Sequence, residues 1–258
     1  MPPATSPISR KQFDTAYDAE ILKRSFVEDI DYYHASRTRF WKAMQRIAAL
    51  RLPPESVTLD IGGGITGVLC ARLLGHRAIV GDVNERGRAD IEDLGLNFLL
   101  VDIFRDQPPP ITNVDLVVLQ EVIEHIPQPP YLVLRRVARL LAPGGHLFLT
   151  TPNGHRFRNL LYMALGKEIL DIYRYPEQGE ALGHQHEYTM KQMLWQASHV
   201  GFEIERADYY QDGWGGSSWP ARVAWTLAAP TGLVPHMRNG IAMMLRKPVR
   251  HVAARSQL

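Results

Sequence analysis

Short apolar runs recur through the middle of the chain, and between them the apolar positions fall at helical spacing. The strand-like runs are Val57–Ile61, Ala78–Asp82, Asn97–Val101, Val114–Leu119 and His146–Thr150. Val, Ile and Leu dominate them with little polar interruption, as in a sheet covered on both faces. Gly67–Leu74, Glu85–Leu94 and Tyr131–Leu141 are the predicted helices between them. Strand and helix alternating at this spacing predict an α/β fold with a doubly wound, mostly parallel sheet. Pro143-Gly144-Gly145 is predicted to stop the third of these helices and turn the chain into the fifth strand.

The flanks read differently. Residues 1–10 are polar and proline-rich and are expected to be disordered. Residues 11–52 read as a helical cap of two helices. Phe40, Met44, Ile47, Ala48 and Leu50 lie near helical spacing in the second, and Pro53-Pro54 ends it. The main domain is assigned to 53–250, with 251–258 as a tail. Its alternation breaks after Thr151. A short apolar helix, Asn159–Leu165, a helix at Met190–Val200 and strands at Phe202–Tyr210 and Gly240–Lys247 complete the reading. Two less regular insertions, 152–190 and 211–239, are expected to act as lids. The second carries Trp214, Trp219 and Trp225 among prolines and glycines.

Composition narrows the class. With 258 residues, 45% of them hydrophobic, the chain is long enough for one α/β domain with a substantial core. The formal net charge of +2, with no Lys/Arg run interleaved with aromatics, argues against nucleic acid as a partner. A single cysteine, Cys70, excludes a disulfide framework and a cysteine-based zinc site. Met1–Arg10 has no apolar core of a signal segment, and no apolar run reaches about 18 residues. A cytoplasmic protein is the expectation.

The chemistry concentrates where the first strand ends. Residues 57–67 read Val-Thr-Leu-Asp-Ile-Gly-Gly-Gly-Ile-Thr-Gly. Glycines at that strand-to-helix turn let the backbone bend tightly and approach a ligand. Gly62-x-Gly64-x-x-Gly67 alone matches a dinucleotide fingerprint. Asp60, two residues earlier, opposes that reading: a carboxylate there repels a pyrophosphate and attracts a cationic amino group. The reductase pair Tyr-x-x-x-Lys is also missed, since Tyr162 and Lys167 are five apart. Asp82 ends the second strand, where a carboxylate can accept both hydroxyls of a ribose or cap the following helix.

Taken in order, these segments resemble the class I S-adenosylmethionine-dependent methyltransferases, in particular the subgroup acting on small molecules, lipids and quinones. The resemblance spans roughly residues 55–210, with 240–248 as a last strand. Its motifs are Leu59-Asp60-Ile61-Gly62-Gly63-Gly64, Gly81-Asp82, Val101-Asp102-Ile103, the run from Asp115 through Glu121, Glu124 and His125 to Ile126, Leu141 to Gly145, and Thr150 to Asn153. It implies a Rossmann-like seven-stranded sheet with an antiparallel last strand. One position departs: the family's third loop glycine falls on Thr66, and a glycine follows only at Gly67.

The resemblance also implies roles. Gly62, Gly63 and Gly64 would bring backbone N–H groups to the methionine end of S-adenosylmethionine, and Asp60 would hold its ammonium, directly or through water. Asp82 would take the ribose, Val83 the adenine face, Asp102 the adenine amino group and Ile103 the ring through its N–H. Gln120 would line the sulfonium region, with Glu121 or His125 facing the acceptor. His125, His184 and His186 are the candidate bases, because an imidazole titrates near neutrality. His184-x-His186 also invites a metal, but a pair is too few ligands, and no metal is expected. The implied reaction is methyl transfer to a small-molecule acceptor, foremost a hydroxyl of a sugar, glycolipid, quinone or secondary metabolite. The acceptor is expected to be hydrophobic or lipid-linked, with peripheral membrane contact through 211–239. The competing readings are a non-catalytic binding or scaffold protein of the same fold and, more remotely, an NAD(P)-dependent oxidoreductase.

Overall fold

The apolar runs assemble into one seven-stranded sheet. In the computed structural model the chain is described over residues 8–23, 30–106, 110–170, 183–212 and 233–249. The strands are β1 (Val57–Ile61), β2 (Arg77–Asp82), β3 (Asn97–Leu100), β4 (Val114–Gln120), β5 (Leu141–Pro152), β6 (Glu203–Tyr210) and β7 (Gly240–Arg246). Their order is β3-β2-β1-β4-β5-β7-β6. β1 to β5 pair in parallel, and β7 runs antiparallel to both β5 and β6. This is the expected doubly wound architecture with one antiparallel strand. The strand order reverses between β1 and β4, so a crevice opens at their carboxyl ends, where such folds hold ligands.

Helices cover both faces. On one side lie α1 (Arg10–Ala16), α2 (Ile30–Ala48), α3 (Ile65–Leu74) and α4 (Arg88–Asp93), packed through Phe13, Met44, Leu69 and Ile91. On the other lie α5 (Pro130–Leu140) and α7 (Met190–Val200), packed through Leu134, Val137 and Met193. A further helix, α6 (Phe157–Ala164), follows β5. The central strands are buried on both faces, with Leu59, Val117, Val118 and Leu149 at 3% exposure or less. That explains their unbroken apolar sequence.

Several sequence expectations are corrected. The cap begins before residue 11: Ile8 is buried, and Ser9 starts α1 in a reciprocal capping box with Gln12. Residues 1–7 lie outside the described residues. Between the two cap helices the chain continues from α1 into a π-helical turn, Tyr17–Ile21. The helix expected at Glu85–Leu94 is shorter, because Asp82 and Asn84 each accept a backbone N–H two residues on and hold a turn up to Gly87. Pro143-Gly144-Gly145 is no turn before a strand. β5 already starts at Leu141, pairs there with Val114, and shifts register between Val114 and Leu116. The glycines are the irregularity inside a long strand, with Gly144 at φ +81°. The expected lid at 211–239 is described only at its ends; Trp214, Trp219 and Trp225 fall outside the described residues.

Candidate active site

At the crevice lies a cavity of about 1010 Å³. Small-molecule sites span about 300–1,000 Å³, so this one has room for a nucleoside-sized ligand and a second molecule. Its lining divides into a glycine-rich end and a histidine-bearing end.

The glycine-rich end is built by the β1–α3 turn. Gly62, Gly63 and Gly64 hold φ of +85°, +116° and +76° in succession. Only glycine adopts that region three times running at low cost. The turn aims the N-terminus of α3 into the cavity, where Ile65 and Thr66 also line it. Asp60 sits beneath the turn and is 3% exposed. Its Oδ2 accepts the Gly67 N–H at 2.7 Å, so the carboxylate braces the helix as well as flooring the cavity. Burial pushes its pKa up to about 7, against the backbone hydrogen bonds of Gly67 and Thr66. The departure at Thr66 is resolved here. A Cβ on Gly67 would stand 2.9 Å from the Asp60 Cβ, so the third glycine serves close helix–strand packing.

Asp82 lines the cavity at the end of β2, with Oδ1 accepting the Asn84 N–H at 3.1 Å. Burial raises its pKa, and N–H groups of Asn84, Val83 and Gly63 oppose the rise. Val83 is exposed beside it and lines the same wall. Gln120, at the end of β4, accepts from the Thr66 hydroxyl through Oε1, while its buried Nε2 has no hydrogen-bond partner. A donor left open at the cavity wall fits a ligand carboxylate. Ile103 and Phe104 line the cavity. Asp102 is a correction: it does not line it. Its Oδ1 accepts the Phe104 N–H at 2.8 Å, and its Oδ2 lies 3.2 Å from Arg105 Nε, so the carboxylate holds its own loop.

The other end gathers charge. Glu121, which lines the cavity, holds φ +52° without being glycine, a conformation costing about 1–2 kcal/mol and enriched at functional sites. Its Oε1 accepts from Thr150 Oγ1 at 2.7 Å and from the Tyr210 hydroxyl at 2.8 Å. Arg39, reaching over from α2, stands 3.8 Å from Glu121 and 4.0 Å from Asp212. Glu124 is fully buried. Thr151 donates to its Oε2 at 3.0 Å, and Oε1 has no hydrogen-bond partner. Burial and then the Glu121 charge raise its pKa.

The loop before α7 completes the wall. The Glu124 carbonyl accepts the N–H groups of Gln185 at 2.7 Å and His186 at 3.2 Å. This clamp sets the His184 ring edge-on to the His125 ring, 4.9 Å between centroids, and both rings line the cavity. His184 Nδ1 is 3.3 Å from Glu187 Oε1. Arg156 also pairs with Glu187, and Asn159 donates to its Oε2 at 2.6 Å. Burial alone would raise the Glu187 pKa; the His184 hydrogen bond, the Arg156 charge and the Asn159 bond outweigh it and hold the group below its ordinary value. His186 is a correction. It is exposed, does not line the cavity, and packs its ring on Tyr188 at 4.5 Å.

Sequence reasoning missed Arg39, Tyr210, Phe104, Arg156 and the place of Glu124 in the histidine-bearing end of the cavity. Glu124 had a signal, since it adjoins His125 at the end of β4. Arg39 and Tyr210 had none, because only the packing of α2 and β6 brings them to the crevice.

The methyltransferase domain family matches residues 32–207, more than half of the chain, and the protein belongs to that family. The ubiquinone biosynthesis O-methyltransferase of Coxiella burnetii (strain Dugway 5J108-111) is 31% identical over 120 residues, which are 43% of this chain and 50% of that protein. The chain thus spans about half the length of that relative. An S-adenosylmethionine-dependent methyltransferase of Methanosarcina mazei superposes with a TM-score of 0.53 at 20% identity, covering 79% of this chain and 98% of that one. Phosphoethanolamine N-methyltransferase 2 of Haemonchus contortus, solved with S-adenosyl-L-methionine, gives 0.54 at 17% identity, over 81% and 52% of the two chains. These likenesses establish the fold as that of the S-adenosylmethionine-dependent methyltransferases. Among the described residues no helix is long and apolar enough to cross a membrane.

Proposed function

We propose that the protein transfers a methyl group from S-adenosylmethionine to a hydroxyl of a small-molecule acceptor. The observation that carries this reading is that a single cavity joins the Gly62–Gly64 turn and Asp82 to the paired rings of His125 and His184. Asp82 suits the ribose hydroxyls, and the open Gln120 donor suits the methionine carboxylate. Asp60 places a buried acidic group under the ammonium.

Methyl transfer is an in-line displacement at carbon. The acceptor oxygen forms a bond to the methyl carbon as the carbon–sulfur bond breaks. The bonding pair stays on sulfur, and S-adenosylhomocysteine leaves neutral at that atom. The positive sulfur already activates the leaving group, so the protein's work is alignment and exclusion of water. A hydroxyl must also lose its proton, and His125 and His184 line the end where it leaves. Support for an oxygen acceptor is the O-methyltransferase relative, together with the imidazoles of His125 and His184 in the cavity wall, which can receive a hydroxyl proton.

The test is release of S-adenosylhomocysteine across acceptors bearing phenolic, sugar or quinol hydroxyls, with NADH uptake measured in parallel. Turnover with one hydroxyl class supports the reading. Binding of NADH with no affinity for S-adenosylmethionine or S-adenosylhomocysteine refutes it.

A further inference from the structure

One carboxylate oxygen of Glu124 and one ring nitrogen each of His125 and His184 lie within 4.8 Å of one another. All three residues line the cavity at its histidine-bearing end. Two imidazoles and one carboxylate, with the remaining positions open to the cavity, are the donor set of a divalent first-row metal ion.

A second observation points the same way. Glu124 is fully buried, yet its Oε1 has no hydrogen-bond donor. A buried carboxylate oxygen left open is costly unless something cationic or protic meets it. No lysine or arginine side chain is hydrogen-bonded to it among the described residues. The oxygen stands beside two rings that carry lone pairs when neutral.

A third is the support behind the ligands. Metal-binding histidines usually donate their other ring N–H to a carboxylate, which fixes the tautomer and turns the free nitrogen toward the ion. His184 Nδ1 meets Glu187 in that way at 3.3 Å, and the ring lines the cavity. Glu187 is itself held by Arg156 and Asn159. Thr151 holds the other oxygen of Glu124 at 3.0 Å. The clamp of the Glu124 carbonyl on Gln185 and His186 fixes the distance between the two ligand-bearing loops.

We propose that Glu124, His125 and His184 form a binding site for a divalent transition-metal ion, placed to coordinate the oxygen of the methyl acceptor. Ligands of one ion at about 2.1 Å stand about 3 Å apart in adjacent positions, so the side chains close by small rotations. The His184-x-His186 pair is not the site; the fold separates those two rings and recruits His125 and Glu124 instead. Three protein ligands leave room for two adjacent acceptor oxygens, so the acceptor class is a vicinal diol or catechol. This part rests on the methyl-transfer reading. There the ion withdraws charge from the hydroxyl, and the oxygen's proton passes to water. The new oxygen–carbon bond forms as the carbon–sulfur bond breaks, with no change in the metal's oxidation state.

The experiment is direct. Chelator-stripped protein is titrated with Co²⁺, followed by its visible absorption, and with Mn²⁺ by equilibrium dialysis. The expected result is about one ion per chain, with affinity reduced about 10- to 100-fold in His184→Ala and in Glu124→Gln and unchanged in His186→Ala. Circular dichroism confirms that each variant folds, and His125→Asn provides a third ligand variant. Absence of saturable binding by the wild type, or equal binding by the folded ligand variants, overturns the proposal. Titration with S-adenosylmethionine separates this from the function itself. Ion uptake by protein that ignores the cofactor keeps the metal site and sinks the methyl-transfer reading. Unimpaired methylation by stripped protein that takes up no ion sinks the metal site and keeps that reading.

Discussion

Asp60 Oδ2 and the Gly67 N–H are joined by a 2.7 Å hydrogen bond from the end of β1 to the first turn of α3. One carboxylate therefore ties the strand to the helix whose N-terminus faces the glycine-rich end of the cavity. The bond offsets part of the cost of burying the group, but burial still wins, and the pKa rises to about 7.

That rise makes stability depend on pH. The unfolded carboxyl titrates near 3.8, the folded one near 7. Between these values the folded state keeps a proton that the unfolded state has lost. Its contribution is full below the unfolded pKa and is lost as pH rises through the folded pKa, by at most about 4 kcal/mol. Asp60→Asn keeps an oxygen for Gly67 and removes the titration. Urea denaturation at about pH 4.5 and about pH 8 should show the variant gaining on the wild type toward the higher pH. A difference independent of pH would contradict the assignment.

Gly67→Ala tests the close approach. The added Cβ meets the Asp60 Cβ at 2.9 Å and Val80 Cγ2 at 3.6 Å. Neither Asp60, buried and bonded, nor the β1 backbone can yield freely. A loss of about 1–3 kcal/mol is expected from overpacking, visible as a lower thermal midpoint. Thr66→Gly, at the position where the family has its glycine, does not relieve it, because the crowding lies one residue further on. Recovery of stability in the Thr66→Gly, Gly67→Ala double variant would show the turn to be longer by a residue.

Asp82→Ala should weaken S-adenosylmethionine binding by about 10²- to 10⁴-fold, since two charge-assisted hydrogen bonds are worth about 1.5–3 kcal/mol each. Asp102→Ala should leave affinity within about threefold, because the Asp102 carboxylate is engaged by Phe104 and Arg105 and is not part of the cavity lining. Calorimetry on the pair decides between them. Equal losses would return Asp102 to the adenine.

The strands and the glycine turn were legible because local pattern determines them: buried parallel strands must be apolar throughout, and three residues at positive φ must be glycine. The histidine-bearing end was legible only in part. His125 and His184 stand in their motifs, but their contact depends on the Glu124 carbonyl bonding Gln185 and His186, some sixty residues later. His186 shares a motif with His184, and residues two apart share a face in a regular extended chain, but the segment before α7 is irregular, so the exposure of His186 could not be read from spacing. Arg39 reaches the cavity because α2 packs over the sheet; no sequence signal near Arg39 itself marks it.

The two histidines of that motif give the sharpest contrast. The His184 ring lines the cavity, is oriented by Glu187 and faces His125 at 4.9 Å between centroids. His186 lies outside the cavity against Tyr188. Whether His184 takes the hydroxyl proton or binds an ion that acidifies it, its removal strikes the step in which the oxygen becomes a nucleophile. His184→Ala should therefore lower kcat about 10²-fold, with S-adenosylmethionine affinity within about twofold, since the proposed cofactor contacts are Asp82 and the glycine turn at the other end of the cavity. Glu187→Gln should produce a smaller loss of the same kind, since it disturbs only the orientation of the ring. His186→Ala should match the wild type in both quantities. Steady-state kinetics with calorimetric affinities on the three variants would overturn this picture if His186→Ala lost turnover and His184→Ala did not.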